Sequence, residues 1–362
     1  MTSSLDAVPE QEEAKLLLRA ALGSDPAHAY LFHGPPGVGK RRAALAFAAE
    51  LLGEHDRVLR GSPPDLYVLE PLGDQIRIDD IRLLHHDLHM RPYEAERRVY
   101  VVLSAQLLND EAADALLKDL EEPPPYAVIL LLADDLGPLP ETIRSRCQHV
   151  PFRRLSEGAV REEIAARAEG LSDDEVTALV RVSGGRLDRA ERLLDPKAAG
   201  RRAALLEVAR RVYADSELAA PEAAQVVLDS MRECGAEAKA EAEKQLEDMD
   251  LPSREAEQRV RRVQRGAEQE ELLLTLEELA AWYRDLVVVA AGADSAVIHY
   301  DHLDELREDA TEGRAVGAED AAEVVRETWR VFEELNVQPR LALEALFVQL
   351  RRALAGTVTV SG

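Results

Sequence analysis

The run Gly34-Pro35-Pro36-Gly37-Val38-Gly39-Lys40-Arg41 sits between a β-favouring stretch at 29–33 and an Ala- and Leu-rich helical stretch at 41–52. A strand that ends in a glycine-rich turn and restarts as a helix leaves backbone N–H groups converging at a helix N-terminus, a ready cradle for anionic oxygens. Glycine at 34, 37 and 39 followed by lysine is more than a tight turn demands. Gly34, Gly37, Gly39 and Lys40 are therefore the candidate phosphate-binding residues. The same unit constrains topology, because a βα succession pairs its strands in parallel and covers both faces with helices.

Four more β-type runs follow, at 65–70, 99–103, 126–133 and 148–152, with amphipathic helical stretches at 79–89 and 109–120 between them. Asn109 is suited to cap the second of these helices. The run at 126–133 is almost continuously apolar, as expected of a strand buried on both faces. Residues 1–153 thus read as an α/β domain with a parallel sheet. Past Pro151 the strand signal fades, and 155–169, 173–182 and 186–194 read as short helices forming a small lid, 154–195. The remainder, 196–362, reads as all-helical, with an apolar stripe of Leu341, Leu343, Leu346, Phe347 and Leu350. Charge is densest over 230–271, where the break Leu251-Pro252-Ser253 predicts a helical hairpin.

Composition narrows the function classes. With 44 Lys+Arg against 69 Asp+Glu the net charge is −25, which argues against a protein that coats duplex DNA by itself. Aromatics at 4% are too few for stacking platforms to be the main device. The arginines at 254, 259, 261, 262 and 265 are interleaved with Glu255, Glu257, Glu268 and Glu270, so a self-paired helix face is expected there. Two cysteines, Cys147 and Cys234, form neither a disulfide framework nor a multi-cysteine zinc site. His85 and His89 fall one helical turn apart, but no third ligand is evident in the sequence, so no metal is expected. No apolar run approaches the ~18 residues needed to cross a bilayer, and the N-terminus carries no targeting pattern, which predicts a cytoplasmic protein without membrane contact.

Around the phosphate loop, hydrolytic parts are missing. The position after Lys40, where a Ser or Thr would ligate Mg²⁺, is Arg41. The strand at 99–103 runs into Ser104-Ala105-Gln106 with none of the carboxylates that hold metal and activate water. The strand at 126–133 ends Ala133-Asp134, with no hydroxyl or amide to orient water. These losses predict no intrinsic ATPase and no required cofactor, with room only for weak ATP or ADP binding.

Two further segments, Ala115-Leu116-Leu117-Lys118-Asp119-Leu120-Glu121-Glu122-Pro123-Pro124 and Thr142-Ile143-Arg144-Ser145-Arg146-Cys147, resemble the signature of bacterial clamp-loader subunits of the AAA+ class. The resemblance implies an AAA+ core, a helical lid and an all-helical collar. It also implies that Arg146 is an arginine finger acting in trans on a neighbouring ATPase subunit. Such a role suits a permanently charged planar fork. With Ser-Arg-Cys kept and the hydrolytic groups lost, the chain is more similar to the delta-prime branch of the DNA polymerase III clamp loader than to the gamma/tau branch. Segments Trp282-Tyr283-Arg284-Asp285-Leu286 and Asn336-Val337-Gln338-Pro339-Arg340 resemble the collar of that branch. The partners implied are gamma/tau and delta subunits, and through the complex the sliding clamp and primed DNA. No cysteine cluster lies between 51 and 66, so the zinc module of some relatives is not expected. Where active relatives place a nucleotide-sensing arginine, alignment sets Asp188, with Arg186 and Arg189 beside it. Two other readings stay open: an autonomous gamma/tau-like ATPase, and a nucleotide-regulated adaptor outside replication.

Overall fold

The computed structural model describes residues 4–53, 57–58, 63–71, 75–168, 170–247, 253–334 and 337–355. Their contacts form two compact units, one of residues 4–168 with 185–189, the other of 170–184 with 190–355. This division is coarser than the three segments read from the sequence and cuts through the second of them.

The first unit holds a five-stranded, all-parallel sheet in the order β2-β3-β4-β1-β5, with β1 Ala29–His33, β2 Leu66–Leu69, β3 Arg98–Val102, β4 Ala127–Ala133 and β5 Gln148–Pro151. Its larger helices are α1 Glu12–Leu22, α2 Lys40–Leu52, α3 Ile78–Leu88 and α4 Asp110–Glu121, followed by the single turn α5 Glu141–Arg144 and then α6 Glu157–Arg167. The strands alternate between two cores because successive side chains point to opposite faces. Tyr30, Phe32, Val128, Leu130 and Leu132 pack with α1 and α2. Leu31, Ile129, Leu131 and Tyr100 pack with α3 and α4. All seven residues of β4 are buried, as the unbroken apolar run predicts. The strands and helices expected from residue 29 to 152 are all present, with ends moved by one or two positions. Asn109 caps α4, its side chain accepting from the Ala112 N–H at 2.9 Å. The sequence reading did not anticipate α1; its Leu18, together with Leu5 and Val8 ahead of it, is buried against α2.

The second unit is wholly helical: α7 Asp173–Ser183, the end of α8 Leu187–Leu194, α9 Pro196–Ala214, α10 Ala220–Glu247, α11 Ser253–Ala290, α12 Leu303–Asp309, α13 Glu312–Glu334 and α14 Pro339–Leu354. Leu272, Leu276, Leu279, Trp282, Tyr283 and Leu286 of α11 form the centre of its core, with Leu343, Leu346, Phe347 and Leu350 of α14. Leu341 corrects the predicted stripe, being 63% exposed. It lies two residues before Leu343, a spacing that puts the two on different helix faces. Helices α10 and α11 pack on each other as the predicted hairpin requires; its break at Leu251-Pro252, the side chain of Arg254, and Asn336 lie outside the described residues. Among the other arginines of that stretch, Arg261 pairs with Glu257 across one turn.

Candidate functional site

Strand register places the loop. β1 pairs with β4 so that His33 lies opposite Ala133, and with β5 so that His33 lies opposite Pro151. The next residue of each strand therefore meets the loop. The Gly34 N–H donates to the Ala133 carbonyl at 3.3 Å, and the Phe152 N–H donates to the His33 carbonyl at 2.8 Å. A side chain at 34 would lie 2.2 Å from the Phe152 carbonyl oxygen, and the φ of 140° there is one that only glycine adopts freely. Gly34 is thus needed for packing, independently of any phosphate.

Gly37 is confined in a second way. A Cβ there would lie 1.7 Å from Asp188 Oδ1, because the Leu187 N–H donates to the Gly37 carbonyl at 2.8 Å and holds the start of α8 on the loop. Asp188 is itself paired with Arg186 at 3.0 Å. Gly39, with φ 95°, precedes the first residue of α2.

Lys40 is buried, and its ammonium is held by its own chain. Nζ donates to the Gly34 and Pro35 carbonyls at 2.5 Å each and pairs with Asp134 Oδ1 at 2.6 Å. Burial pushes the ammonium below its ordinary pKa, and Asp134 opposes the shift. Asp134 is fixed in turn by Gln106, whose amide donates to Oδ2 at 3.4 Å and whose Oε1 accepts the Asp134 N–H at 3.2 Å. The sequence reading passed over Asp134 because it lacks a hydroxyl or amide; the structure makes it the carboxylate nearest the loop lysine. The signal that would have found it is its position one residue beyond β4, the strand beside β1 in the sheet. Arg41 pairs with Glu70, just past β2, at 2.5 Å. Chemically, the loop can offer an anion a lysine and a helix N-terminus, but two carboxylates, Asp134 and Asp188, already sit at it.

Arg146 lies between α5 and β5. Its guanidinium donates to Glu121 Oε1 at 2.5 Å and to the Thr142 carbonyl at 2.8 Å, with about a third of the side chain exposed. The two segments that carry the family resemblance thus meet in one ion pair, since Glu121 ends α4. Cys147 beside it is buried, and burial pushes its thiol up to about 12.

Residues 10–156 match the family described as DNA polymerase III, delta subunit. The chain is 35% identical over 215 residues to DNA polymerase III subunit delta prime of Pseudomonas aeruginosa, covering 54% of this chain and 64% of that one. It is 32% identical over 168 residues to the tau subunit of Bacillus subtilis, covering 43% of this chain and 30% of that one. The matched segments therefore span less than two thirds of either relative. A DNA polymerase III gamma subunit-related protein of Thermotoga maritima superposes with a TM-score of 0.48 at 18% identity, over 94% of this chain and 99% of that one. The five-stranded parallel sheet with its strand-loop-helix and the wholly helical second unit are the α/β core and the all-helical region expected from the sequence. The chain is thus similar, over its first unit and part of its second, to clamp-loader subunits of bacterial DNA polymerase III, delta prime and tau among them.

Proposed function

We propose that this chain is a non-hydrolysing, delta-prime-like subunit of the cytoplasmic DNA polymerase III clamp loader. It joins gamma/tau and delta in a ring that opens the sliding clamp and places it on primed DNA. One observation carries the reading: Lys40 of the phosphate loop is neutralised by Asp134 and followed by Arg41, whereas the Ser145-Arg146-Cys147 triplet is intact. A loop so arranged is poorly equipped to bind Mg-nucleotide and turn it over. Arg146, which precedes β5 and so lies at the end of the sheet opposite the loop, serves someone else's nucleotide. In the free chain Arg146 rests on Glu121, an exposed pair that costs little to break. In the ring it swings to the γ-phosphate of the neighbouring subunit, where its fork stabilises the charge of the transferring group.

The test compares complexes reconstituted with gamma/tau and delta, containing wild-type chain or Arg146→Ala, after size exclusion has verified assembly. DNA- and clamp-stimulated ATP hydrolysis and clamp loading should fall in the variant. Fingers acting in trans supply ~10³–10⁵ in rate at their own site, diluted here by the ring's other sites. Arg146→Lys should rescue poorly, since the ammonium lacks the bidentate fork. Unchanged rates in an assembled ring would reduce Arg146 to an ion-pair partner of Glu121.

Asp134 favours a second reading, an autonomous ATPase, because it puts a carboxylate beside the loop lysine. The isolated chain decides between them: turnover on the order of 1 per second with Mg-ATP would support the ATPase and overturn the non-hydrolysing role.

A further inference from the structure

On the face of the first unit where α3 packs on α4, three metal-ligating side chains come together. His85 and His89 are one turn apart at the end of α3, with ring centroids 4.6 Å apart. Asp119, near the end of α4, accepts a hydrogen bond at 2.6 Å from His85 Nδ1 through Oδ1. One donor atom from each of the three residues lies within 4.8 Å of the others. The two histidines are exposed, so an ion can reach them from solvent, whereas Asp119 is only 2% exposed.

The second carboxylate oxygen makes the arrangement more than a histidine–aspartate pair. Asp119 Oδ2 is buried and has no hydrogen-bond partner. A carboxylate oxygen taken out of water and left unpaired is costly, and nearly all such atoms in folded proteins find a partner. Solvent does not reach this one. A cation bound by the two imidazoles and by both oxygens of the Asp119 carboxylate would give it a partner.

We propose that His85, His89 and Asp119 form a binding site for a divalent transition-metal ion of the zinc type. Two imidazole nitrogens and a carboxylate oxygen are the donor set that zinc takes at three-ligand sites, with the fourth position left to water or to a group from outside the chain. Bonds of ~2.0–2.2 Å require donors closer than they stand here, a movement of roughly 1 Å that the exposed imidazoles can make by rotating about their side-chain bonds. Binding replaces the His85–Asp119 hydrogen bond with metal–ligand bonds to both residues. It also ties the end of α3 to α4, the helix that ends at Glu121 beside Arg146. The sequence suggests two of the ligands by their spacing. Asp119 stands 30 positions beyond His89, and only the packing of α3 on α4 brings it to them.

The experiment titrates Zn²⁺ into the purified, chelator-stripped full chain in competition with a colorimetric chelator, and repeats the titration on His85→Ala, His89→Ala and His86→Ala. His86 is exposed on the same helix and is absent from the cluster, so it controls for adventitious binding by surface histidines. One ion per chain is expected, held at least about 10-fold more weakly by His85→Ala and by His89→Ala and equally well by His86→Ala. Zn²⁺ should also raise the melting temperature of the wild type and not that of His89→Ala. Because the substituted histidines are exposed, the variants fold, and a loss of affinity cannot be blamed on unfolding. Equal Zn²⁺ affinity in wild type and His89→Ala, or no stoichiometric binding by the wild type, overturns the site.

Discussion

Two loop carbonyls and the Asp134 carboxylate take up the donors of Lys40, and Asp188 lies against Gly37. An incoming phosphate has to displace the first carboxylate and approach the second. Asp134→Asn keeps the shape but removes a negative charge, and should tighten ADP binding by about 10-fold in calorimetry, equivalent to roughly 1.4 kcal/mol. Equal affinity in variant and wild type would mean that Asp134 does not compete with phosphate. Cys147 offers a simpler test: buried, with its thiol pushed up to about 12, it should resist iodoacetamide at pH 8 in the native chain and react once the chain is unfolded. Native labelling at the unfolded rate would contradict its burial. The loop glycines and Lys40 were legible in the sequence because spacing alone marks them. Asp134 was not, since it reaches Lys40 through the β1–β4 register; Asp188 was marked only by resemblance, at the position of a nucleotide-sensing arginine, and its contact with Gly37 comes from the docking of 185–189 on the loop, more than a hundred residues away.

Elements with a strong period or an unbroken apolar run were read nearly to the residue. β4 is the clearest case, its seven buried positions following from a run with no polar interruption. The single residue misplaced in the apolar stripe of α14, Leu341, shows the limit of counting apolar side chains without fixing the helix phase. Close approaches between helices leave even less trace in sequence. Gly317 sits inside α13, where alanine would ordinarily be favoured by ~0.5–1 kcal/mol. Here an added Cβ would meet the Ala353 carbonyl oxygen at 2.4 Å and the Leu354 Cα at 3.1 Å, both backbone atoms of α14 that cannot turn aside. The steric cost, ~1–3 kcal/mol for overpacking, outweighs the propensity gain. Gly317→Ala should therefore lower stability by roughly 1–2 kcal/mol in urea denaturation. A stabilised variant would show that α13 and α14 do not meet this closely.

At the scale of the whole chain, 69 acidic against 44 basic residues make the molecule self-repelling at neutral pH, and a buried histidine in the second unit adds to the same trend. His299 is fully buried, with Nδ1 2.9 Å from Asp285 and Nε2 3.2 Å from Glu278. Arg202 and Asp301 stand in the same network, and the Trp282 ring meets the imidazole edge-on. Burial by itself disfavours the imidazolium, but a carboxylate on each nitrogen outweighs it, so the His299 pKa is raised. A group whose pKa is raised on folding stabilises fully below its unfolded value, ~6.5 for histidine, and the contribution is lost as pH climbs through the folded value. Asp301 works in the opposite sense. Burial raises its pKa, but the bond from Arg202 and its charge more than compensate, leaving it lowered, so its contribution is present above ~3.9 and lost as pH falls through the folded value. The two together place the most stable range of this unit between ~4 and ~6.5. In His299→Gln the histidine part disappears. Melting temperatures of wild type and variant should differ most below pH ~6.5 and converge as the solution is made alkaline, because neutral His299 no longer answers both carboxylates. A difference that widens toward pH 8.5 would mean that neutral imidazole is the form that holds Asp285 and Glu278 together.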